Sequence, residues 1–203
     1  MTAHGHGHDH AHAPGPVADA SVRVARVSDA PAVGLVQSVV YRRELAGVVP
    51  EEALAQLEGP ALAAVWRRAL EGPAPGAERL FVALAGAQVV GFAAIGPSQD
   101  PDGGPTTGEL TNLCVHPDAR RQGHGSRLVN AAVDGLRAAG ATEVVAWVLA
   151  NADTSRAFLT GSGFGPDGAH RERVVGAEGE TAMEVRLVAT IDVGAAPVGA
   201  GDG

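Results

Sequence analysis

The stretch that decides the fold is residues 115–128, which read VHPDARRQGHGSRL. It follows an apolar run at 110–115 with strand character and leads into residues 125–139, whose spacing predicts a helix that stops at Gly140. A strongly apolar strand is predicted next, at 143–149. The sequence therefore predicts a βαβ unit in which residues 115–128 join the first strand to the helix.

This connection has the chemistry of an anion site. The first N–H groups of a helix lack backbone acceptors and lie at the positive end of the helix dipole, so a phosphate or pyrophosphate can bind there. Gly123 and Gly125 let backbone donors approach a ligand, and Arg120, Arg121 and Arg127 add positive charge to a chain with a net charge of −8. A glycine turn with a solvated basic face is the alternative that needs no ligand.

Two common nucleotide-binding motifs fit the connection poorly. A dinucleotide-binding fingerprint needs a third glycine where this sequence has Leu128. A Walker-type loop needs Gly-Lys-Ser or Gly-Lys-Thr, which the connection lacks. The predicted phosphate ligand therefore belongs to another class.

The rest of the chain predicts strands and helices around the βαβ unit. In order, these are a strand at 21–27, a helix to about residue 45, helical stretches after residues 50 and 60, a hairpin of strands at 80–85 and 89–95, a loop at 97–108, a short helix at 153–161, and paired strands at 171–175 and 181–188. We expect one domain over residues 21–190.

Both ends of the chain have compositions that cannot build a core. Residues 1–20 contain five histidines spaced by Gly, Ala and Asp, and predict a disordered tail. Such histidines could bind a transition metal, but a solvated low-complexity segment is the simpler hypothesis, and no metal site is predicted. Residues 191–203, rich in Gly and Ala, predict a second flexible tail.

Charge and composition exclude several classes of protein. An acidic chain lacks the basic surface that nucleic acid requires. The single cysteine, Cys114, cannot form an internal disulfide. No apolar run approaches the roughly 18 residues of a membrane span, and the N-terminus does not resemble a signal peptide. We expect a cytoplasmic protein that binds neither nucleic acid nor membrane.

In its surroundings, the connection resembles the acetyl-CoA-binding motif of the GNAT acyltransferase superfamily, Arg/Gln-x-x-Gly-x-Gly/Ala, at Arg120, Gly123 and Gly125. The resemblance covers about residues 21–188 and includes Leu113-Cys114-Val115 with His116-Pro117, Trp147-Val148-Leu149, and the segment 156–164. It implies an α/β (mixed α+β) fold with a central, mostly antiparallel, twisted sheet of six to seven strands. Helices would flank this sheet, and it would be splayed at the βαβ cofactor site.

The resemblance also implies acetyl-CoA as the cosubstrate. The strand backbone at Leu113 and Val115 would bind the pantetheine arm as an added strand, amides of 121–126 would hold the pyrophosphate, and Asn151 would face the arm. Asn151 departs from the family pattern, because it lies one residue further before Leu159 than is usual. The residues expected to bind the cosubstrate are Leu113, Cys114, Val115, Arg120, Arg121, Gln122, Gly123, His124, Gly125, Ser126 and Asn151.

For catalysis, an amine acceptor must lose a proton to a base or to a water that leads to one. Glu109 resembles the glutamate that many family members carry at this strand and is the candidate base; an exposed charge at a strand start is the alternative. Histidine titrates near neutral pH, but His116 in His-Pro is more simply a turn residue. Thr111 and Asn112 could position the acceptor or a water.

The usual acid of the family is a tyrosine in a phrase resembling Phe-Tyr-x-x-x-Gly-Phe, and Leu159 occupies its position here. Solvent, Ser155 or Thr160 would then protonate the departing thiolate. Cys114 has no evident paired base and is more simply a small core residue than a nucleophile.

Around the acceptor side, family position indicates that residues 41–44 shape the pocket. Trp66 and Trp147 are expected in the core.

These observations predict an N-acetyltransferase that moves acetyl from acetyl-CoA to a primary amine of a small molecule, peptide or protein. The acidic chain would favour a cationic acceptor. The alternative, based on Leu159, is a non-catalytic module that binds or senses acyl-CoA. Edge strands in such folds often pair, so a homodimer is a further expectation.

Overall fold

The computed structural model describes residues 20–72, 78–175 and 178–191. The two predicted tails therefore lie outside the described residues, apart from one residue of each. The helices and strands are β1 Ala20–Val24, α1 Ala30–Glu44, α2 Glu51–Ala55, α3 Gly59–Glu71, β2 Arg79–Ala85, β3 Gln88–Pro97, β4 Thr107–Val115, α4 His124–Ala138, β5 Glu143–Leu149, α5 Asp153–Gly161, β6 Gly165–Val174 and β7 Thr181–Thr190. None of the described helices is long and apolar enough to span a membrane.

The strands form one seven-stranded sheet in the order β1-β2-β3-β4-β5-β7-β6. Neighbouring strands are antiparallel except for β4 and β5, which are parallel because α4 connects them as a crossover helix. The predicted mixed, mostly antiparallel sheet with flanking helices is confirmed.

Apolar cores lie on both faces of the sheet. Successive side chains of a strand point to opposite faces, and apolar residues occur at both sets of positions. Helix α4 packs over one face, where Leu128 and Leu136 join Phe81 and Leu187. Helix α1 packs over the other face, where Val33 belongs to a second cluster of buried residues. The other members of this cluster include Val36, Val40, Val82, Phe92 and Cys114. Strand β3, at the sheet centre, is buried along most of its length.

The sheet opens between its two parallel strands. Pairing of β4 with β5 covers three residue pairs and ends at Glu109 and Val145. Beyond that point β4 still pairs with β3, and β5 still pairs with β7. A bulge at Thr111 interrupts the β3–β4 register. Residues 110–115 therefore have one edge without a neighbouring strand, as the predicted splay requires.

Some predicted boundaries were wrong. The strand predicted at 171–175 begins six residues earlier, at Gly165. Its first half contains Gly, Pro and Asp, which are typical of turns, and its pairing with β7 is irregular between Pro166 and His170. The strand predicted at 21–27 ends at Val24, and a single 3-10 turn follows. The first difference arises where pairing with β7 overrides local composition. The second arises where the Asp29 carboxylate accepts from the Arg26 N–H and closes a local turn.

Candidate active site

The β4–α4 turn places free backbone amides at the start of α4. Gly123 is the N-cap with a φ of 81°, and Arg121 is also left-handed with a φ of 64°. The helix hydrogen bonds begin where Arg127 N–H donates to the Gly123 carbonyl at 3.1 Å. The amides of His124, Gly125 and Ser126 precede that bond and have no acceptor within the helix. Together with the helix dipole, they form a site suited to a phosphate.

Two of the three arginines brace this turn. Arg120 Nε donates to the Val115 carbonyl at 3.2 Å, and its Nη2 lies 2.6 Å from Glu44 Oε1 at the end of α1. Arg127 Nη1 donates to the Gln122 carbonyl at 3.1 Å. The side chain of Arg120 thus ties the turn to β4 and to α1.

Replacing Arg120 with alanine should lower the free energy of unfolding by about 1–2 kcal/mol, because a backbone hydrogen bond and a partly exposed ion pair are lost. Urea unfolding of the two proteins measures the difference. The exposed Arg121, for which the described structure gives no side-chain hydrogen bond, provides the control. Its alanine variant should change stability by less than about 0.5 kcal/mol, and an equal loss in both variants would contradict the bracing role.

Phe158 of α5 covers the first turn of α4. A Cβ atom at Gly125 would lie 3.0 Å from Phe158 Cζ, so the position has room only for glycine unless the ring moves. The side chain of His124 is buried on the core-facing side of α4, with Leu128. Burial, with a smaller contribution from Arg127, lowers the pKa of His124. His124 therefore contributes only its backbone N–H to the free amides at the start of α4.

The predicted cosubstrate residues on β4 lie along its open edge. Leu113 and Val115 turn their side chains to the α4 side of the sheet, where they pack against the core. Cys114 points to the α1 side and is 3% exposed, and burial raises the pKa of its thiol. A buried, protonated thiol is a poor nucleophile, so Cys114 is a core residue. Asn151 is exposed in the turn after β5, beyond the opening.

Glu109 lies at the last residue pair before the strands separate. It is 9% exposed, so the alternative of an exposed charge at a strand start was wrong. Burial raises the pKa of Glu109, and a hydrogen bond from the backbone of Gln99 opposes the rise. Asp100 and Glu184 add to the rise, whereas Arg171 acts against it. A buried carboxylate with a raised pKa has the properties of a general base.

The charged groups beside Glu109 form a network that the sequence analysis did not find. Asp100 accepts from Trp147 Nε1 at 3.0 Å and from Arg186 Nη1 at 3.2 Å. Arg171 Nε donates to Glu184 Oε2 at 2.7 Å, and the Arg171 guanidinium lies 4.2 Å from the centre of the Trp147 ring. Trp147 was predicted in the core, but its indole lies in this network. Period-two alternation places Glu184 and Arg186 on one face of β7, but only strand register brings Trp147 and Arg171 beside them.

Tyr41 and Asn112 connect α1 to the open part of β4. The Tyr41 hydroxyl donates to Asn112 Oδ1 at 2.5 Å, and burial raises the pKa of Tyr41 to about 12. Thr111, at the bulge, donates its hydroxyl to the Ala94 carbonyl at 3.1 Å. Of the two residues suggested for acceptor positioning, Asn112 therefore retains free hydrogen-bonding capacity.

The position of the family tyrosine lies on α5. Leu159 is 3% exposed and belongs to the core on the α4 side. Thr160 is exposed and Ser155 is half-buried on the same helix. His116 Nδ1 accepts from the Asp118 N–H at 3.3 Å, which agrees with the predicted turn role.

Comparison with known proteins identifies the class. Residues 51–164, more than half of the chain, match the model of the acetyltransferase (GNAT) family. The chain therefore belongs to the GNAT acetyltransferase family, and the resemblance seen in the sequence is confirmed.

One curated relative is the mycothiol acetyltransferase of Parafrankia sp. (strain EAN1pec). It is 35% identical over 104 residues, which cover 51% of this chain and 28% of the relative. The chain thus spans less than a third of that relative's length, so the match supports the family and not the relative's substrate.

Several solved structures share the fold. The PaiA N-acetyltransferase of Thermoplasma acidophilum, in complex with coenzyme A, is 15% identical with a TM-score of 0.61, covering 85% of this chain and 99% of that chain. The yncA protein of Salmonella typhimurium, with its cofactor acetyl-CoA, is 21% identical with a TM-score of 0.60, covering 88% and 97%. The ribosomal-protein-alanine N-acetyltransferase of Brucella melitensis is 22% identical with a TM-score of 0.60, covering 84% and 99%.

Proposed function

We propose that this protein transfers the acetyl group of acetyl-CoA to the primary amine of a small molecule, peptide or protein. One observation carries the proposal. The sheet opens at a buried carboxylate, Glu109, and the strand that borders the opening leads into the free amides at the start of α4. Anion binding and proton removal are thus available at opposite ends of β4.

The described residues fit acetyl-CoA as the cosubstrate. The free edge at 110–115 offers N–H and C=O groups that an amide-bearing pantetheine arm would match, and the amides at 121–126 suit its pyrophosphate. Coenzyme A or acetyl-CoA in structures of the same fold supports this assignment. Arg120 is assigned a bracing role, Cys114 a core position behind the arm, and Asn151 an outer contact. The residues to which we assign backbone contacts with the cosubstrate are Leu113, Val115, Arg121, Gln122, Gly123, His124, Gly125 and Ser126.

The proposed reaction is direct transfer. Glu109 takes a proton from the ammonium form of the acceptor, and the freed nitrogen lone pair attacks the thioester carbon. A C–N bond forms, the nitrogen loses its second proton to solvent, the C–S bond breaks, and the sulfur departs with the bonding electrons as the CoA thiolate. Solvent protonates the thiolate, since Leu159 has no proton to donate.

The acceptor is proposed to be cationic before reaction. Glu109 is a buried acid beside the opening, whereas Asp100 and Glu184 are paired with arginines. The Glu109 carboxylate and the chain's net charge of −8 both favour an ammonium group.

The second candidate is a module that binds acyl-CoA without turnover, and the apolar burial of Leu159 favours it. Incubating the full chain with acetyl-CoA and a panel of amines separates the two. The enzyme is expected to release free CoA thiol and to add one acetyl group to an amine, by mass spectrometry. Tight acetyl-CoA binding by calorimetry without thiol release would favour the module.

Three further expectations stay predictions. They are the domain limits at 21–190, a cytoplasmic location and a homodimer. The edge strands available for pairing are β1 and β6. Light scattering of the purified chain measures the oligomeric state.

A further inference from the structure

Two hydrogen bonds connect α3, α1 and β4 on the acceptor side of the sheet. Trp66 of α3 donates its indole N–H to Gln37 Oε1 at 2.6 Å. Tyr41, one turn after Gln37 on α1, donates its hydroxyl to Asn112 Oδ1 on β4 at 2.5 Å.

The orientation of the Asn112 amide follows from its bond with Tyr41. A side-chain amide oxygen can only accept, so the Tyr41 hydroxyl is the donor in this bond. With a pKa near 12 the phenol keeps its proton at neutral pH, and its O–H is directed to Asn112. Asn112 consequently presents its Nδ2 group, a pair of donors, away from Tyr41.

Asn112 lies beside the opening in the sheet. It directly follows the bulge at Thr111, in the part of β4 that β5 no longer borders. It is half-buried, and no side-chain partner other than Tyr41 occurs among the described residues. Its Nδ2 donors are therefore available to a ligand in the opening.

A donor in this place discriminates between the two reactants. The ammonium form of the acceptor brings only N–H donors, which match the Glu109 carboxylate and not an NH₂ group. The thioester brings a carbonyl oxygen, which accepts a hydrogen bond and gains negative charge as the amine attacks. We propose that Asn112 Nδ2 donates to the thioester oxygen, and that Tyr41 is a positioning residue that keeps the Asn112 amide turned that way. This inference rests on the proposed function and deepens it.

A binding experiment tests the contact without turnover. S-ethyl-CoA differs from acetyl-CoA by lacking the carbonyl oxygen. Wild type should bind acetyl-CoA roughly threefold to tenfold more tightly than S-ethyl-CoA, and Asn112→Ala should remove the preference while binding S-ethyl-CoA normally. The Asn112 side-chain amide signals in ¹H–¹⁵N NMR should shift with acetyl-CoA and stay in place with S-ethyl-CoA. An equal preference in both proteins would overturn the contact.

Kinetics test its effect on the reaction. Asn112→Ala should lower kcat roughly tenfold to hundredfold, the range for a hydrogen bond to a charged group, with little change in the KM for the amine. Tyr41→Phe should lower kcat roughly threefold to tenfold, as expected for one neutral hydrogen bond. In the Asn112→Ala background the same change should have no further effect, because Tyr41 acts through Asn112.

Controls keep these outcomes interpretable. Asn112→Asp still accepts from Tyr41 but has no donor, so it should lose at least as much activity as Asn112→Ala. Asn130→Ala, at an exposed asparagine of α4, should match wild type. A raised amine KM with unchanged kcat in Asn112→Ala would assign Asn112 to the acceptor and overturn the inference. If wild type acetylates no amine, the proposed function fails, whereas the S-ethyl-CoA comparison still decides the Asn112 contact.

Discussion

Gly125→Glu is expected to weaken acetyl-CoA binding roughly hundredfold to thousandfold. Two or three charge-assisted hydrogen bonds from the start of α4 to the pyrophosphate would be lost, and each contributes roughly tenfold or more. The carboxylate would also repel the phosphates. The new side chain must displace Phe158, whose ring lies 3.0 Å from the position of its Cβ atom.

Calorimetry measures this affinity, and thermal unfolding shows whether the variant still folds. Asn130→Glu adds the same charge at an exposed position of α4 and should bind within about twofold of wild type. Gly125→Ala requires only a small movement of the Phe158 ring and should lose about tenfold. If a folded Gly125→Glu protein bound acetyl-CoA with wild-type affinity, the start of α4 would be ruled out as the pyrophosphate site.

Glu109→Gln is expected to lower the rate of acetyl transfer roughly 10³-fold at mildly acidic pH, within the usual range for a general base. With the base, the ammonium acceptor loses its proton inside the site. Without it, the reaction depends on the small fraction of free amine, which rises tenfold with each pH unit. The difference in rate between wild type and Glu109→Gln should therefore become smaller as the pH approaches the pKa of the amine.

A pH profile of kcat/KM for both proteins tests this expectation. Glu172→Gln, at an exposed glutamate of β6, is the matched control and should follow wild type. A deficit that stays constant at every pH would assign Glu109 a role other than proton removal.

The stability of Glu109→Gln separates a lost base from a damaged fold. Burial raises the pKa of Glu109 in the folded protein. Its contribution to stability is then greatest below the pKa of the unfolded state and falls as pH rises through the folded-state pKa. At pH 7 the neutral glutamine should leave the thermal midpoint unchanged or higher, and a marked decrease would contradict a burial cost at this residue.

The sequence predicted the parts that depend on local order. Period-two and period-3.6 patterns located β5 and α5 at their observed bounds, and the glycines of 115–128 marked the α4 turn. The mostly antiparallel sheet and its splay at the βαβ cofactor site were expected from the family resemblance and not from periodicity. The order of the strands and the residue at which β4 and β5 separate were not predicted.

The missed parts of the site depend on long-range register. Arg171 and Glu184 belong to a hairpin whose first half has a turn-like composition, and Asp100 lies in a loop. The hydrogen bonds of Trp66 with Gln37 and of Tyr41 with Asn112 join residues of α3, α1 and β4 that have no common period. Such contacts follow from tertiary packing, which a single sequence does not encode as a local pattern.

The opening between β4 and β5 gives the sheet an internal edge. Unpaired strand edges at the rim of a sheet invite other chains to add strands and aggregate, but here β4 and β5 flank the gap inside the sheet, so a second protein strand has poor access. A slender amide-bearing molecule fits such a gap better. The amides on this edge should exchange with deuterium rapidly in the free protein and slowly with acetyl-CoA, which would make the cosubstrate a temporary strand of the fold.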